Sequence, residues 1–97
     1  MNSTVKKDQW VWIIIQGTDK NEQILGQHDK EQGKSFIPFF LSKEDAQIGF
    51  DFLTREKGHK CEPQAIIFED LVQQAAQNSL EVYLLNNAGK ILEKNIR

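Results

Sequence analysis

The sequence predicts a small α/β protein of the α+β type, a two-layer domain with a mixed β-sheet, two helices and the element order β-β-β-α-β-α-β. Short runs of β-branched and aromatic residues alternate with two segments whose apolar residues recur every three or four positions. A chain of 97 residues has room for one core, because it buries only roughly 60 to 65% of its unfolded surface. We therefore expect a single domain over residues 9–97, preceded by a flexible leader over residues 1–8.

The first predicted strand is the segment QWVWIIIQ, residues 9–16. Alternation places Trp10, Trp12 and Ile14 on one face and aliphatic residues on the other, so both faces are apolar. A strand of this kind is usually central in its sheet and covered on both sides. The polar, turn-rich stretch that follows contains a short predicted strand around residues 23–28.

The second apolar run, residues 35–41, is the third predicted strand and leads into the first predicted helix. It contains Pro38, which has no N–H to donate and therefore predicts a sheet edge or a bulge at that place. Ser42 predicts the helix start, because its hydroxyl can cap the first turn. Glu44 and Asp45 follow at positions where the helix dipole favours negative charge.

Apolar residues three and four apart define the buried face of this helix. They are Ala46, Gly49, Phe50 and Leu53. Ile48 and Phe52 lie off that face, which predicts that both are exposed. Gly58 is expected to end the helix.

The second half of the chain predicts strand, helix, strand. A strand over residues 64–68 leads into an amphipathic helix that ends near residue 78. Residues 80–85 form a further strand before a turn at 86–89. With the strand at residues 35–41 and the first helix, this gives strand, helix, strand, helix, strand, which contains two crossover units. Such units favour parallel neighbouring strands and right-handed crossovers, and we expect both helices on one face of the sheet. The tail, residues 90–97, fits either a short strand or a helical turn.

Composition excludes several classes of function. Twelve Lys and Arg are balanced by fourteen Asp and Glu, for a net charge of −2, whereas a nucleic-acid binder carries a basic surplus on one face. The apolar run WVWIII is too short for a signal peptide or a membrane span, and neither glycine-rich phosphate motif occurs. We therefore expect a cytoplasmic protein without a cofactor and without nucleic-acid or membrane partners.

The candidates for chemistry are His59, Cys61 and His28. His59 and Cys61 lie within four residues of each other together with Glu62, which could supply a thiol with a neighbouring base or two metal ligands. A nucleophilic cysteine also needs a positioned base and oxyanion donors, which adjacency in the chain does not supply. The other interpretation is a polar connection between helix and strand, so no catalytic residue is assigned.

A surplus of apolar residues predicts an interaction surface. Two helices can cover one face of the sheet, yet the first strand is apolar on both. Trp10, Trp12 and Ile14 would then form an exposed aromatic face, with Ile48 and Phe52 as a second, smaller patch, and patches of this kind mark interfaces. The alternative is that the turn-rich stretch or the C-terminal tail folds over these groups.

Residues 36–89 resemble the N-terminal domain of SseB-like proteins and related small bacterial families. The similarity is carried by the run IPFFLS that enters the first helix, residues 37–42, and by LLNNAG at the end of the last strand, residues 84–89. Leu41 is an extra residue, and Asn87 stands where the family pattern has proline. The resemblance implies a small bacterial, cytoplasmic α/β domain without an established set of catalytic residues and suited to protein interaction.

The leading hypothesis is a non-enzymatic module that binds a protein partner, or itself as a homodimer, through the aromatic sheet face. The second is a small-ligand-binding or metal- or thiol-dependent domain that uses His59 and Cys61, with His28 as a further ligand. Binding of single-stranded nucleic acid beside Trp10 or Tyr83 is disfavoured, because most of the lysines are interleaved with acids.

Overall fold

A computed structural model of the chain describes residues 5–17, 22–54 and 60–94. These residues form a small α+β fold of seven strands, two α-helices and one 3-10 turn, which confirms the predicted class. In chain order the elements are β1 Trp10–Gln16, β2 Gln23–Ile24, β3 Gln27–Asp29, β4 Lys34–Phe39, α1 Lys43–Gly49, the 3-10 turn Phe50–Phe52, β5 Cys61–Ile67, α2 Phe68–Gln77, β6 Glu81–Leu85 and β7 Ile91–Glu93. None of the described helices is long and apolar enough to cross a membrane.

The strand predicted around residues 23–28 is divided into two. β2 pairs with β1, whereas β3 pairs with β4, so the chain changes partner between them. The N–H of Leu25, at the change, donates to the carbonyl of Ile14 with 2.7 Å between N and O. The tail forms β7, which pairs with β6. The observed order therefore has two more strands than the predicted one.

The strands form two sheets that one bridge joins. Their orders are β2-β1-β5 and β3-β4-β6-β7. Trp12 and Phe40 form an antiparallel bridge and exchange two backbone hydrogen bonds of 2.8 and 2.9 Å. β1 therefore lies beside the end of β4, and the spatial order across the join is β5-β1-β4-β6-β7. Since β1 is antiparallel to both its neighbours, β4, β5 and β6 all run in the same direction.

Each helix covers a different face, which corrects the expectation of both helices on one face. α1 contacts β1 and β5, whereas α2 contacts β6 and β5. The crossover from β4 to β5 and the crossover from β5 to β6 run in opposite directions across the joined sheet. Crossovers of the same right-handed sense that run in opposite directions lie on opposite faces.

Two core clusters result, one beneath each helix. The α1 cluster comprises Ile14, Leu25, Phe36, Phe40, Ala46, Leu53, Tyr83 and Leu85. The α2 cluster comprises Val5, Val11, Ile13, Ile15, Ile37, Phe39, Phe68, Leu71, Ala75, Val82 and Leu84. Residues of β1, β4 and β6 alternate between the two clusters, so these three strands are buried on both faces.

Pro38 lies in an interior strand rather than at an edge of the sheet. β3 pairs with β4 only as far as Phe36, and the bridge to β1 is at Phe40. Pro38 therefore falls in the gap where β4 exchanges one neighbour for another. A residue without an N–H fits there because the ladder on that side is interrupted.

α1 begins where the sequence predicts, and it is shorter than expected. The hydroxyl of Ser42 accepts a hydrogen bond from the N–H of Asp45 at 3.1 Å, as an N-cap residue should. The α-helix ends at Gly49 and continues as the 3-10 turn. Gly58, the expected end, lies outside the described residues.

Residues 5–8, the described part of the predicted leader, pack together with Gln9 against the start of α2. Val5 is buried in the α2 cluster. The carbonyls of Gln9 and Lys7 accept hydrogen bonds from the N–H groups of Phe68 and Glu69, at 2.9 and 3.0 Å. α2 has no side-chain cap, so these carbonyls satisfy two of the donors that every helix start leaves open.

Candidate functional site

The predicted aromatic face of β1 changes from exposed to buried along the strand. Trp10 is 60% exposed, Trp12 is half-buried, and Ile14 is completely buried. Ile14 packs in the α1 cluster with residues of α1, β4 and β6. Ile14 is therefore a core residue and not an interface residue, since α1 covers the sheet face that we expected to be open.

The ring of Trp12 lies between the core and the surface. It packs against the α1 cluster, and the ammonium of Lys43, the first residue of α1, lies 6.0 Å from its ring centroid. An ammonium at that distance is at the limit of a cation–π interaction. Trp10 lies two residues away on the same strand face, towards the uncovered end of the strand.

β5 continues this apolar surface sideways. Trp10 is directly opposite Ile67 on β5, and Trp12 is directly opposite Ala65. Residues directly opposite in an antiparallel pair have their side chains on the same face. Pro63 lies opposite Ile14 and shares that face. We call Trp10, Trp12, Pro63, Ala65 and Ile67 the β5 edge surface.

The β5 edge surface borders an open strand. β5 has β1 as its only strand neighbour among the described residues, so its other side carries backbone groups that no described strand pairs. Pro63, Ala65 and Ile67 are all half-buried, and Trp10 beside them is mostly exposed. An apolar surface and an unpaired strand edge therefore meet at one place.

The second predicted patch lies apart from the first. Ile48 is 45% exposed and Phe52 is 64% exposed, so both are on the surface as the helical spacing predicts. Phe52 packs over Gly89, where an added Cβ would lie 2.5 Å from the Cβ of Phe52. Gly89 belongs to the β6–β7 turn, at the opposite end of the strand order from β5, so the structure does not unite the two patches.

Two of the residues predicted for metal or thiol chemistry, Cys61 and His28, lie in different sheets. Cys61 is half-buried at the start of β5 and packs against the α1 cluster. His28 is exposed on β3 and, with Lys30 and Ser35, lines an open groove of about 540 Å³. His59 lies outside the described residues. Among the residues that the structure describes, no group of three His, Cys, Asp or Glu side chains could hold a metal ion.

A buried carboxylate, that of Asp29, joins β3 to β6 and the C-terminal segment. Asp29 Oδ2 accepts hydrogen bonds from Lys94 Nζ at 3.1 Å and from the Tyr83 hydroxyl at 3.4 Å. Asp29 Oδ1 accepts from the backbone N–H groups of Glu31 and Gln32, at 3.0 and 3.4 Å. An Asp at the start of a turn is the sequence signal for such backbone bonds, but its partners on β6 and beyond β7 are distant in the chain.

This network holds Asp29 in its ionised form. Burial by itself raises the pKa of the Asp29 carboxyl, but the hydrogen bond and charge of Lys94 and the two backbone N–H groups outweigh it, and the net pKa is lowered. Burial, with the charges of Glu81 and Asp29, raises the pKa of the Tyr83 hydroxyl. Both carboxylate oxygens have partners, so the network joins parts of the fold and offers no group for general acid–base work.

The β5 edge surface combines exposed aromatic area with a strand edge that no described strand pairs. Among the described residues, Cys61 and His28 lie in different sheets, and both carboxylate oxygens of Asp29 accept hydrogen bonds. Comparison of the chain with protein-family models, curated proteins and solved structures found no match.

Proposed function

We propose that this chain is a non-enzymatic protein-interaction module that binds a protein partner, or a second copy of itself, through the β5 edge surface. One observation carries the proposal: Trp10, 60% exposed, lies beside a strand edge that has no described neighbour. Tryptophan is among the residues most enriched in interface hot spots. An extended segment that adds to such an edge gains backbone hydrogen bonds together with side-chain contacts.

The surroundings of Trp10 support a protein partner over a small ligand. The residues beside it, Trp12, Ala65 and Ile67, lie on one face of two paired strands, and they line neither of the two grooves that the structure describes beside Leu80. Small-molecule sites are usually concave and bury most of the ligand. The resemblance of residues 36–89 to SseB-like N-terminal domains points the same way, since it implies an interaction domain of a bacterial cytoplasmic protein.

The test compares Trp10→Ser with Leu92→Ser as its matched control. Leu92 is also exposed, at 52%, and lies on the edge strand β7 at the other end of the strand order. Both variants and the wild type are examined by sedimentation and by affinity capture from the source cells. We expect Trp10→Ser alone to lose self-association or a captured protein that the wild type holds stoichiometrically. Retention of all associations by Trp10→Ser would contradict the proposal.

The alternative function is a small-ligand-binding or metal- or thiol-dependent domain that uses His59 and Cys61. The observation in its favour is the groove beside His28, which is also lined by Lys30 and by the hydroxyl-bearing residues Ser35 and Thr54, groups that could hold a small polar ligand. Its test is the melting temperature with and without zinc, together with the rate at which Cys61 reacts with a neutral thiol reagent. A zinc-dependent rise that His28→Ala removes would support this alternative. No rise, with a reaction rate equal to that of a free thiol, would exclude it.

A further inference from the structure

The open edge of β5 has a defined pattern of hydrogen-bonding groups. At one end of the β1–β5 ladder the N–H of Phe68 donates to the carbonyl of Gln9, and at the other end the N–H of Gly17 donates to the carbonyl of Lys60, at 2.9 and 3.0 Å. In an antiparallel ladder hydrogen-bonded pairs alternate with non-hydrogen-bonded pairs. Counting from both ends, Glu62, Gln64 and Ile66 point their backbone groups towards β1.

The intervening residues of β5 point their backbone groups away from β1, towards the open edge. Pro63 offers a carbonyl but no N–H, Ala65 offers both groups, and Ile67 offers an N–H. Ile67 is also the N-cap of α2, and the carbonyl of an N-cap residue accepts the first hydrogen bond within its helix. Within residues 63–67, two donors and two acceptors therefore remain, and no backbone hydrogen bond to them from a loop or turn of the described residues is found. Cys61, at the start of β5, also points its backbone groups towards this edge, outside that segment.

We propose that the occupant of this edge is a second copy of the chain, paired antiparallel through β5 with a two-fold axis at Ala65. This inference rests on the proposed function and names its partner. The two Ala65 residues would exchange two hydrogen bonds. Each Ile67 N–H would donate to the Pro63 carbonyl of the other copy.

The argument for this partner is that the edge is complementary to itself. In the proposed pairing the missing N–H of Pro63 lies opposite the Ile67 carbonyl that α2 already occupies, so the one absent donor meets the one absent acceptor. Sliding one copy along the other removes this match. A slide in one direction brings Cys61 opposite Ile67 and Pro63 opposite Ala65, and it leaves the Ala65 carbonyl inside the ladder without a donor. A slide in the other direction places the Ala65 N–H opposite the occupied Ile67 carbonyl.

Side chains along the edge favour the same pairing. Natural edge strands commonly carry charges or proline that prevent edge-to-edge association. In β5 the charged residue, Glu62, lies outside the paired segment 63–67, and Pro63 lies at the end of that segment, where its missing N–H faces an occupied carbonyl. Ala65, at the two-fold axis, is small and leaves room for Trp12 of each copy to approach from either side. Two copies would join their β5 edge surfaces into one continuous apolar face, as an isologous interface requires.

Cysteine cross-linking at the proposed axis tests the pairing. Residues directly opposite in a hydrogen-bonded antiparallel pair have their Cα atoms about 5.5 Å apart, within the range that a disulfide spans. Ala65→Cys is made in a Cys61→Ser background, with Leu92→Cys in the same background as the control. Because Leu92 is the more exposed residue, random collision would cross-link the control first. We expect mild oxidation to give a severalfold larger covalent-dimer fraction for Ala65→Cys.

A charge pair provides a second readout that survives a failure of cross-linking. Ala65→Lys and Ala65→Glu each place like charges at the axis, so each variant alone should sediment as a monomer and an equimolar mixture should form a heterodimer. Circular dichroism first establishes that both variants fold. A wild-type chain that stays monomeric at high concentration overturns the inference. The inference is also overturned if Trp10→Ser dissociates a dimer that does not cross-link at Ala65 and does not respond to the charge pair. In that case the proposed function is retained and only the β5 pairing is wrong.

Discussion

Both faces of β1 carry apolar residues, but one face is buried along its whole length and the other is buried only at one end. Val11, Ile13 and Ile15 face the α2 cluster and are all buried, at 0, 1 and 8% exposure. On the other face the exposure falls from 60% at Trp10 to 0% at Ile14. α2 has ten residues and receives Val5 as additional cover, whereas α1 has seven residues, a length of about 10 Å.

The difference teaches that alternation along a strand identifies two apolar faces but not their covers. A face is closed only where another element lies against it, and the shorter α1 closes the α1 side incompletely. What remains open on that side is the end that carries Trp10. The surface available to a partner is therefore set by the length and placement of a helix that is distant from it in the chain.

The largest effect is expected where both faces are closed. Ile13→Ala and Ile14→Ala each remove buried methyl groups, one from each cluster, and each should lower the free energy of unfolding by about 2 to 5 kcal/mol. Leu92→Ala, at an exposed site, should change it by about 0.5 kcal/mol or less. Urea unfolding of the three variants measures this. A cost for Ile14→Ala as small as that for Leu92→Ala would show that the α1 side is open at Ile14.

α1 packs so closely against the sheet that an added methyl group at Gly49 should lower the stability of the fold. A Cβ added at Gly49 would lie 2.5 Å from the Phe40 ring and 3.1 Å from the carbonyl oxygen of Asn86. Overpacking costs about 1 to 3 kcal/mol and outweighs the helix propensity of about 1 kcal/mol that alanine gains over glycine. We expect Gly49→Ala to lower the urea midpoint and Gln47→Ala, on the exposed side of α1, to leave it unchanged. A more stable Gly49→Ala would show that α1 can move away from Phe40.

The stability of the α1 side should also depend on pH, because Asp29 is bonded to that cluster. Tyr83 belongs to the α1 cluster and donates to Asp29, whose pKa is lowered from its ordinary value of 3.8. A carboxyl with a lowered pKa contributes stability that is complete above the unfolded value and is lost as the pH falls through the folded value. Asp29→Asn should therefore flatten the acid limb of the stability profile, followed by thermal unfolding between neutral and acidic pH. Asp8→Asn, at an exposed residue beside the start of α2, is the control, and an unchanged limb in Asp29→Asn would contradict the assignment.

The smallest effect is spectroscopic. With Trp12→Phe the remaining tryptophan is Trp10, and with Trp10→Phe it is Trp12. At dilutions where the chain is monomeric, iodide should quench the fluorescence of Trp10 more strongly than that of Trp12, because Trp12 packs against the α1 cluster and lies near Lys43. Equal quenching would mean that both rings are covered or both open. If copies pair through β5, quenching of Trp10 should decrease as the protein concentration rises.

Much of the fold could be predicted from local patterns. The cap at Ser42, the amphipathic spacing in α2 and the exposure of Ile48 and Phe52 all depend on residues a few positions apart, and the structure confirms them. The division of the 23–28 strand and the gap at Pro38 could not be predicted, because each depends on which distant strand lies alongside. For the candidate site, the sequence predicted the same exposure for Trp10 and for Ile14, of which only Trp10 is exposed, and it did not predict the neighbours Ala65 and Ile67.

The sequence by itself determined the kinds of element, the approximate places where they begin and end, and the presence of more apolar surface than one helical layer can cover. Short-range properties are sufficient for this, because backbone propensity, capping and the period of the apolar residues act within a few positions. Only the tertiary structure decided that the helices take opposite faces, that Ile14 is core, and that β5 is an edge strand among the described residues. Those outcomes follow from the direction and handedness of the crossovers, which are properties of the whole sheet.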